Sequence, residues 1–575
     1  MVNRAFGWIQ DPGKIENLRK VVEIFDLSSK THTILKTKTI PKIIKKKDGR
    51  AELIAQMNKI PLALKYKDLV GKSFRPRSLA RCNGIIQAAV KGQKRPFIAD
   101  WPADNFLRWT CALGFVKWNK KDDTFEITEH GLKLSRAKIG SEEEYSVYEK
   151  AFLSYPPVSR IINLLVMAAN NDTVLTKFEI GKQLGFLGEE GFTSISQFLF
   201  VKEMCSVPKT EVSKIRSNWE GDSDKYARMI CGWLMQLKYK WVETAEKKVT
   251  VNLGGKELSY ILQAYTLTKK GFEIRKRITG ISKYGKISKI VSFEMLATKG
   301  RDRDYLRSRR ACLLELILKS QSSLEEIITK LAEQGFDENE STIRDDLRGL
   351  ENIGLNIVFS RGKYFCNDDI VGLEIPKLLI KETQKSDVLA LVEQCRSEIT
   401  KIPHDYLVLI PMSFDKTQSN LFEIKTLELL TEQCNFDGLH LGGSNKPDGI
   451  IYNKDYGVII DTKSYESGFS IPVGERDKMK RYIEDNINRN PKHNKTEWWL
   501  NFPKKLKEFL FLFVSGRFSG NYKEQLKIMS EQTDDTLGGA LSSYALLRIA
   551  DKISGNRITQ EDFRNKISCL DEIVA

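Results

Sequence analysis

Cysteine and histidine are too sparse and too scattered in this chain to build the common redox and metal sites. The nine cysteines, an odd number, include no Cys-x-x-Cys pair, which argues against both a disulfide framework and a zinc ribbon. The five histidines lie far apart without ligand spacing, so a histidine metal site is not expected. This composition predicts a protein of a reducing cytoplasm.

Long apolar segments are also missing. Met1 is followed by no apolar signal core, and the longest apolar runs, such as Phe509 to Val514, are far shorter than the ~20 residues of a membrane span. We therefore expect a soluble protein without a membrane partner.

Length and charge indicate several domains and a polyanionic partner. The 575 residues are enough for three or four domains, and the formal net charge is +17. Residues 381–575 hold 27 Lys and Arg against 29 Asp and Glu, which leaves 65 against 46 in residues 1–380. Because phosphate neutralisation supplies most sequence-independent DNA affinity, the N-terminal part is predicted to bind DNA.

The most informative motif lies outside this basic part. Pro447-Asp448, twelve further residues and then Asp461-Thr462-Lys463 form the pattern of a metal-dependent phosphodiesterase. Cutting a phosphodiester requires a divalent cation and a positioned water, and two carboxylates with an amine supply both. Asp448, Asp461 and the carbonyl of Thr462 are the candidate Mg²⁺ ligands, and Lys463 would orient or deprotonate the water.

Local patterning places these residues at the ends of two strands. Gly449–Tyr452 and the apolar run Val458–Ile460 are predicted strands joined by a turn at 453–455, which folds Asp448 back towards Asp461. Period-two alternation puts Asp461 and Lys463 on one face, while Thr462 points away. The motif alone does not decide the function, since 246–248 and 423–425 also match Glu-x-Lys, and a strand that merely ends in surface charge is the alternative.

The first half contains a faint internal repeat. Phe125-Glu-Ile-Thr-Glu-His-Gly-Leu and Tyr265-Thr-Leu-Thr-Lys-Lys-Gly-Phe share one pattern, and each follows a predicted helix and a two-stranded ribbon. In the second copy the two strands are predicted at 241–244 and 249–251, separated by 245–248. Helix followed by ribbon is typical of winged helices, in which one helix enters the major groove.

A third copy precedes residue 370. Residues 308–319, a helix opened by the capping box Ser323–Glu326, and residues 341–350 are predicted helices, followed by a hairpin around 360–363. A plain helical bundle is the alternative for any single copy. The predicted fold class is three winged-helix (helix-turn-helix) α+β subdomains followed by an α/β PD-(D/E)xK nuclease domain. Its predicted bounds are 1–150, 151–290, 291–370, a linker at 371–385, and 386–575.

Several long blocks resemble the FokI-like type IIS restriction endonucleases in the same order and across nearly the whole chain. They are Gly7-Trp-Ile-Gln-Asp-Pro-Gly-Lys, Asn218-Trp-Glu-Gly-Asp-Ser-Asp-Lys-Tyr-Ala-Arg-Met-Ile, His440-Leu-Gly-Gly-Ser-Asn-Lys-Pro-Asp-Gly, Tyr456-Gly-Val-Ile-Ile-Asp-Thr-Lys and Phe511-Leu-Phe-Val-Ser-Gly. The resemblance implies a bacterial cytoplasmic enzyme that reads a short asymmetric site in double-stranded DNA, GGATG being expected. A tethered, Mg²⁺-dependent cleavage domain would then cut both strands at a fixed distance. A cognate DNA methyltransferase in the same system is also implied.

The resemblance assigns DNA reading to a set of residues in the first two subdomains: Gln10, Asp11, Arg77, Gln93, Trp101, Ser217, Glu220, Lys225 and Arg228. Arg or Lys fits guanine, Gln fits adenine and Glu accepts from cytosine. Asp11 and Ser217 stand where the family has asparagine, which puts the target sequence in doubt because Asp cannot donate to a base.

The resemblance also implies a transient homodimer of cleavage domains. Asp477 and Arg481 map to the dimer helix, where a two-fold axis would pair each with its opposite number in the partner. An intrahelical i,i+4 ion pair is the alternative from spacing alone. The rival function is a DNA-binding regulator whose inactive nuclease domain serves for dimerisation, and a structure-specific nuclease is a third reading.

Overall fold

The computed structural model describes residues 6–10, 13–71, 81–207, 210, 212–213, 219, 224–278, 287–377 and 382–575. Mostly helical units with small sheets are followed by a C-terminal domain built around a larger sheet. The predicted multidomain, mixed α/β architecture is confirmed at this level.

The first unit joins helices to a three-stranded sheet of order β1-β3-β2. Its strands are β1 (Leu64–Lys65), β2 (Val116–Asn119) and β3 (Thr124–Ile127). Its helices are Ile15–Glu23, Lys30–Ile34, Ile40–Ile43, Lys47–Met57, Tyr66–Val70, Ile85–Ala89, Asp100–Ala112 and Glu129–Arg136, with a π-helical turn at Leu35–Thr39.

The second unit contains a long ribbon that the sequence analysis placed wrongly. Its sheet has the order β4-β6-β5, with β4 (Leu175–Thr176), β5 (Val242–Leu253) and β6 (Lys256–Leu267). Residues 245–248, predicted to separate the two strands, lie inside β5; the turn is at Gly254 and Gly255, which both have positive φ. Charged residues on a solvent-facing strand resemble the polar sequence of a turn. The turn itself needs positive φ, which glycine adopts without strain. The helices are Glu142–Leu153, Pro156–Asn170, Lys177–Gly181, Gln197–Ser206, Lys225–Leu234 and Lys269–Ile278, with a 3₁₀ turn at Glu190–Phe192.

The internal repeat marks the same strand-to-helix junction in both units. Thr128 caps one helix by accepting from the Gly131 N–H at 3.0 Å, and Thr268 caps the other by accepting from Gly271 at 3.2 Å. A Cβ on either glycine would lie 2.2 Å from a carbonyl oxygen, that of Phe115 or Trp241. The pattern therefore requires threonine as the cap and glycine for close backbone approach.

The third unit follows its prediction closely. It contains helices Arg303–Lys319, Leu324–Ala332 and Glu340–Asn352, and the Ser323–Glu326 capping box is present. It also has two short pairs: antiparallel β8 (Ile357–Ser360) with β9 (Lys363–Cys366), and parallel β7 (Lys289–Ile290) with β10 (Ile370–Val371). A 3₁₀ turn, Phe293–Leu296, precedes the first helix. The predicted domain bounds remain predictions, and 378–381 of the predicted linker lie outside the described residues.

The C-terminal domain surrounds a five-stranded sheet of order β11-β12-β13-β14-β15. The strands are β11 (Asp437–His440), β12 (Gly449–Tyr452), β13 (Tyr456–Lys463), β14 (Glu508–Ser515) and β15 (Gly538–Ser542). β12 is antiparallel to β11 and β13, whereas β13, β14 and β15 are parallel. The helices are Asp387–Glu398, Leu409–Phe414, Ser419–Glu432, Val473–Asn488, Tyr522–Glu531, Ser543–Ser554 and Gln560–Ile567, with 3₁₀ turns at His404–Val408, Lys416–Gln418 and Trp498–Asn501.

Within the described ranges, no single helix is long and apolar enough to cross a membrane. Helices Glu142–Leu153 and Pro156–Asn170 reach that length and composition only together, and they are bent by 87° at the break between them.

A buried charge cluster joins the C-terminal domain to the third unit. Arg309, 1% exposed, donates to Asp346 at 2.7 Å and to Glu338 at 2.7 Å in its own unit, and to Glu393 of the C-terminal domain at 3.2 Å. Asn339 adds a hydrogen bond to the Glu393 carbonyl at 3.0 Å. Burial by itself would raise the pKa of Glu393, but Arg396 and Arg309 lower it to about 2. The C-terminal domain is therefore docked through fully charged, desolvated groups.

A second cluster joins the C-terminal domain to the second unit. The Ser196 N–H donates to Glu428 at 2.9 Å, and the buried Lys425 ammonium donates to the Ser194 carbonyl at 3.1 Å and to Glu428 at 2.8 Å. Lys182 of the second unit lies 3.7 Å from Glu428. The two clusters fix the C-terminal domain on the preceding units at separate points.

Replacing Arg309 by Met is expected to destabilise the docked protein. Three buried carboxylates then lose their shared cation and keep one other partner each, Arg310, Lys385 or Arg396, so the cost is at most the ~3–5 kcal/mol of breaking a buried pair outright. Thermal unfolding should show a clearly lowered midpoint. The matched control is Lys319→Met on the same helix, whose pair with Glu315 at 2.9 Å is exposed, and which should shift the midpoint little. Equal midpoints for the two variants would contradict the assignment.

Candidate active site

The sheet brings Asp448 beside Asp461 at the ends of adjacent strands. Gly449 of β12 is paired with Ile460 of β13, so the residue before β12 lies opposite the residue after Ile460. The Leu441 and Gly442 N–H groups donate to the Asp448 carbonyl at 2.9 and 3.2 Å. The predicted hairpin is thus present. Its backbone is hydrogen-bonded to β13 on one side and to residues 441–442 on the other.

Thr462 corrects one expectation. It was predicted to point away from the site, but its N–H and Oγ1 both approach Asp448 Oδ2, at 2.7 and 3.1 Å. The threonine therefore orients the Asp448 carboxylate, because two donors from one residue fix one of its oxygens.

Asp461 and Lys463 share one face of β13, as alternation predicted. The Lys463 ammonium is ion-paired with Asp461 Oδ2, and Asp461 is fully buried while Lys463 is about nine-tenths buried. β13 therefore places a carboxylate and an ammonium group in direct contact.

Burial sets the protonation of this group. Burial and repulsion by Asp448 raise the pKa of Asp461 to about 6, although Lys463 and Lys478 oppose the shift. Burial, followed by repulsion from Glu423, also raises the pKa of Asp448. For Lys463, burial would lower the pKa, but Asp461 and Asp448 outweigh it and raise it. A lysine with a raised pKa retains its proton, which favours orientation and charge stabilisation over deprotonation of water.

The helix Val473–Asn488 contributes two residues that the sequence analysis missed. Glu475 Oε2 lies 3.1 Å from Lys463 Nζ, and Lys478 Nζ lies 3.5 Å from Asp461 Oδ1. Glu475 Oε2 and Lys478 Nζ are 3.8 Å apart. Their i,i+3 spacing places both on one helical face, but nothing in the sequence shows that this face meets β13.

The residues fit a divalent cation with oxygen ligands. No hydrogen bond with good geometry reaches the buried Asp461 Oδ2 or Glu475 Oε2 from any described residue. The described ranges hold no group of three or more Asp, Glu, His or Cys arranged for a metal. A cation here would therefore rely on Asp448, Asp461, a backbone carbonyl and water, the mixed set that Mg²⁺ accepts.

His440 connects this site to the second unit. Its Nδ1 lies 3.3 Å from Glu203 of helix Gln197–Ser206, and its Nε2 lies 3.5 Å from Glu423. Burial would lower the pKa of His440, but these two carboxylates raise it to about 10. The imidazolium thus bridges the second unit and the C-terminal domain. His440 is paired with Gly449, the residue that follows Asp448.

Part of the predicted DNA-reading set converges in one place. Gln10, Trp101 and Lys225 line a cavity of about 370 Å³ whose far wall includes Thr417 and Asn420 of the C-terminal domain. Gln10 Nε2 donates to the Tyr226 hydroxyl at 3.1 Å. Lys225 and Arg228 lie one turn apart on helix Lys225–Leu234.

Other members of that set are elsewhere. Gln93 lines a separate groove together with Lys14 and Lys20. Four further residues lie outside the described ranges: Asp11, Arg77, Ser217 and Glu220.

Asp477 and Arg481 lie on the exposed side of helix Val473–Asn488. Asp477 Oδ1 accepts from Arg476, at 2.9 and 3.1 Å. Among the ion pairs of the described residues, Asp477 pairs with Arg476 and not with Arg481. The intrahelical alternative is therefore not observed.

Family models cover almost the entire chain. Those for FokI recognition-domain subdomains 1 and 2 match residues 4–137 and 144–283, the FokI D3 domain matches 296–362, and the FokI cleavage domain matches 385–574. The four matches follow one another in chain order.

Full-length relatives and solved structures agree. The chain is 40% identical to the type II restriction enzyme FokI of Planomicrobium okeanokoites over 98% of both chains. It is 32% identical to the type II restriction enzyme StsI of Streptococcus sanguinis, over 98% of this chain and 95% of that one. The structures of restriction endonuclease FokI and of FokI bound to DNA each cover 100% of both chains at 39% identity, with TM-scores of 0.89 and 0.92. This chain belongs to the FokI family of type II restriction enzymes, with recognition and cleavage domains in one polypeptide.

Proposed function

We propose that this protein is a Mg²⁺-dependent type IIS restriction endonuclease. It binds a short asymmetric site in double-stranded DNA through residues 1–370 and cuts both strands at a fixed distance outside it. The observation that carries this proposal is the convergence of Asp448, Asp461 and Lys463 at the end of β13, in a chain similar to FokI throughout its length.

In this proposal the three N-terminal units act as winged-helix modules, and the C-terminal domain is a PD-(D/E)xK nuclease. The helix-and-hairpin units and the mixed sheet with its Pro-Asp hairpin support these assignments. The basic residues 1–380 hold the DNA, whereas residues 381–575, with slightly more acidic than basic side chains, supply the chemistry.

The cleavage chemistry follows from the placement of three side chains. Asp448 and Asp461, together with the Thr462 carbonyl, would hold the Mg²⁺, which neutralises charge developing on the scissile phosphate. The protonated Lys463 orients the attacking water and stabilises the phosphate oxygens. Thr462 keeps Asp448 aimed at the site.

DNA reading is proposed for the residues that the resemblance assigned. Gln10, Trp101, Lys225 and Arg228 would contact the site directly, Gln93 would contribute from the neighbouring groove, and Arg77 and Glu220 complete the set. GGATG is the expected target. Because Asp11 and Ser217 replace asparagines, either the local contact is remade or one base position is read differently.

Double-strand cutting requires a second cleavage domain. We place the transient homodimer contact on helix Val473–Asn488, with Asp477 of each copy facing Arg481 of the other. The docked C-terminal domain has to leave the charge clusters of Arg309 and Lys425 to reach DNA away from the site. A methyltransferase that protects the host genome and a bacterial cytoplasmic location complete the proposal.

A plasmid digest tests this function. The protein is incubated with Mg²⁺ and a plasmid carrying one GGATG, and the ends of the fragments are sequenced. Discrete ends at a fixed offset support the proposal and give the target and polarity together. If this plasmid and a long DNA that contains every five-base sequence both stay uncut, the protein is a regulator with an inactive nuclease domain; scattered ends would indicate a structure-specific nuclease.

Asp448→Ala and Lys463→Ala are expected to abolish cutting while leaving site binding unchanged. Losing the metal ligand or the ammonium removes charge stabilisation of the transition state, an effect on the order of 10²- to 10³-fold or more. Digestion and gel-shift assays measure the two properties. The controls Asp455→Ala and Lys454→Ala remove the same charges from the exposed hairpin turn and should cut normally. Retained cleavage by either active-site variant would disprove its role.

Arg481→Asp is expected to slow double-strand cutting by weakening the dimer. A reduction of roughly tenfold at limiting enzyme corresponds to about 1.4 kcal/mol of lost association energy. Affinity for the site should not change. Mixing Arg481→Asp with Asp477→Arg protein should restore cutting, since opposite charges then face each other across the two-fold axis. A mixture no faster than either variant alone would refute this contact.

A further inference from the structure

The helix that carries the proposed dimer contact is also ion-paired into the cleavage site. Its Glu475 carboxylate lies 3.1 Å from the Lys463 ammonium, and its Lys478 ammonium lies 3.5 Å from the Asp461 carboxylate. Both side chains are about one-third exposed or less. The helix therefore contributes one charge of each sign to the same group of atoms.

We propose that Glu475 and Lys478 are positioning residues of the cleavage site: Glu475 holds the Lys463 ammonium, and Lys478 competes with the divalent cation for Asp461. The inference rests on the proposed function, because it concerns the same site. It adds two residues, Glu475 and Lys478, that contact Lys463 and Asp461 and act on the reaction only through them.

The charges explain why Lys478 acts as a competitor. Asp448, Asp461 and Glu475 carry three negative charges, against two positive charges on Lys463 and Lys478. A cation that binds the Asp461 carboxylate through either oxygen comes close to Lys478 Nζ, which lies 3.5 Å from Oδ1. Like charges within a few ångströms repel, so the cation binds only as Lys478 withdraws, and Lys478 is exposed enough to swing into solvent.

Glu475 has the opposite effect on the amine. Asp461 Oδ2 and Glu475 Oε2 approach Lys463 Nζ from different residues, so the ammonium is held between a strand and a helix. When the cation takes the Asp461 charge, Glu475 remains as the anchor of Lys463. A shift of this helix at the dimer contact would then move Lys463 directly.

Binding of Mn²⁺ to the full-length protein without DNA tests the role of Lys478. Mn²⁺ takes the same oxygen ligands as Mg²⁺, and electron paramagnetic resonance measures the free ion. We expect Lys478→Gln to bind Mn²⁺ about three- to tenfold more tightly, because it removes a unit charge close to the ion. The control Lys480→Gln makes the same change of net charge on the same helix, where Lys480 pairs with Glu484 at 3.7 Å.

The outcomes of that titration are separable. An Lys478→Gln affinity equal to or weaker than that of Lys480→Gln overturns the competition. Asp448→Asn should remove the Mn²⁺ binding. If it does not, the metal site of the proposed function fails, and the competition fails with it. A loss in Asp448→Asn without a gain in Lys478→Gln disproves only the role of Lys478.

Single-turnover cutting tests Glu475. We expect Glu475→Gln to lower the rate at saturating enzyme about tenfold, with the half-saturating enzyme concentration unchanged, since Lys463 is misplaced but DNA and dimer contacts persist. Glu484→Gln is the control, because Glu484 lies on the opposite side of this helix, in line with Asp477; it should keep its rate at saturating enzyme even where the dimer contact weakens. A defect in Glu475→Gln that disappears at high enzyme concentration would assign Glu475 to dimerisation and overturn the positioning role.

Discussion

The constraint on which the site depends is the burial of two like charges side by side. Asp448 and Asp461 end adjacent strands of a sheet whose apolar core excludes water, and Asp461 is fully buried. Neither carboxylate can remain ionised there without compensation, because desolvation and mutual repulsion both favour the neutral acid. Lys463 and Lys478 supply part of that compensation, and a divalent cation would supply the rest. The buried carboxylates therefore require nearby cations even before a substrate binds.

The same physics governs how the two parts of the chain meet. Beside apolar packing, their contacts bury Glu393 against Arg309 and seat the Lys425–Glu428 pair against the backbone of Ser194 and Ser196. Buried ion pairs add little net stability relative to apolar packing, since each ion regains its hydration on separation. An interface of this kind holds the cleavage domain in one orientation and still permits release. His440 extends the contact to Glu423, whose charge raises the pKa of Asp448, so docking and the active site are electrostatically adjacent.

Local signals predicted the elements that carry the chemistry. The strand Gly449–Tyr452 and the following turn have the predicted bounds, because a buried strand shows a short apolar run bounded by polar residues. The capping box at Ser323 was equally visible. The long ribbon was divided wrongly because Lys247 and Lys248 on an exposed strand resemble a turn. The competing signal, Gly254-Gly255, is a better turn, since both residues take positive φ.

The sequence by itself determined which residues supply the carboxylates and the amine, because strand alternation and the hairpin length fix the order of Asp448, Asp461 and Lys463 along two neighbouring strands. It also determined that basic charge lies apart from them. Only the tertiary structure decided that Thr462 turns its hydroxyl to Asp448 and that helix Val473–Asn488 places Glu475 and Lys478 against β13. Local periodicity gives the faces of an element, whereas the pairing of two faces distant in sequence follows from packing the whole core.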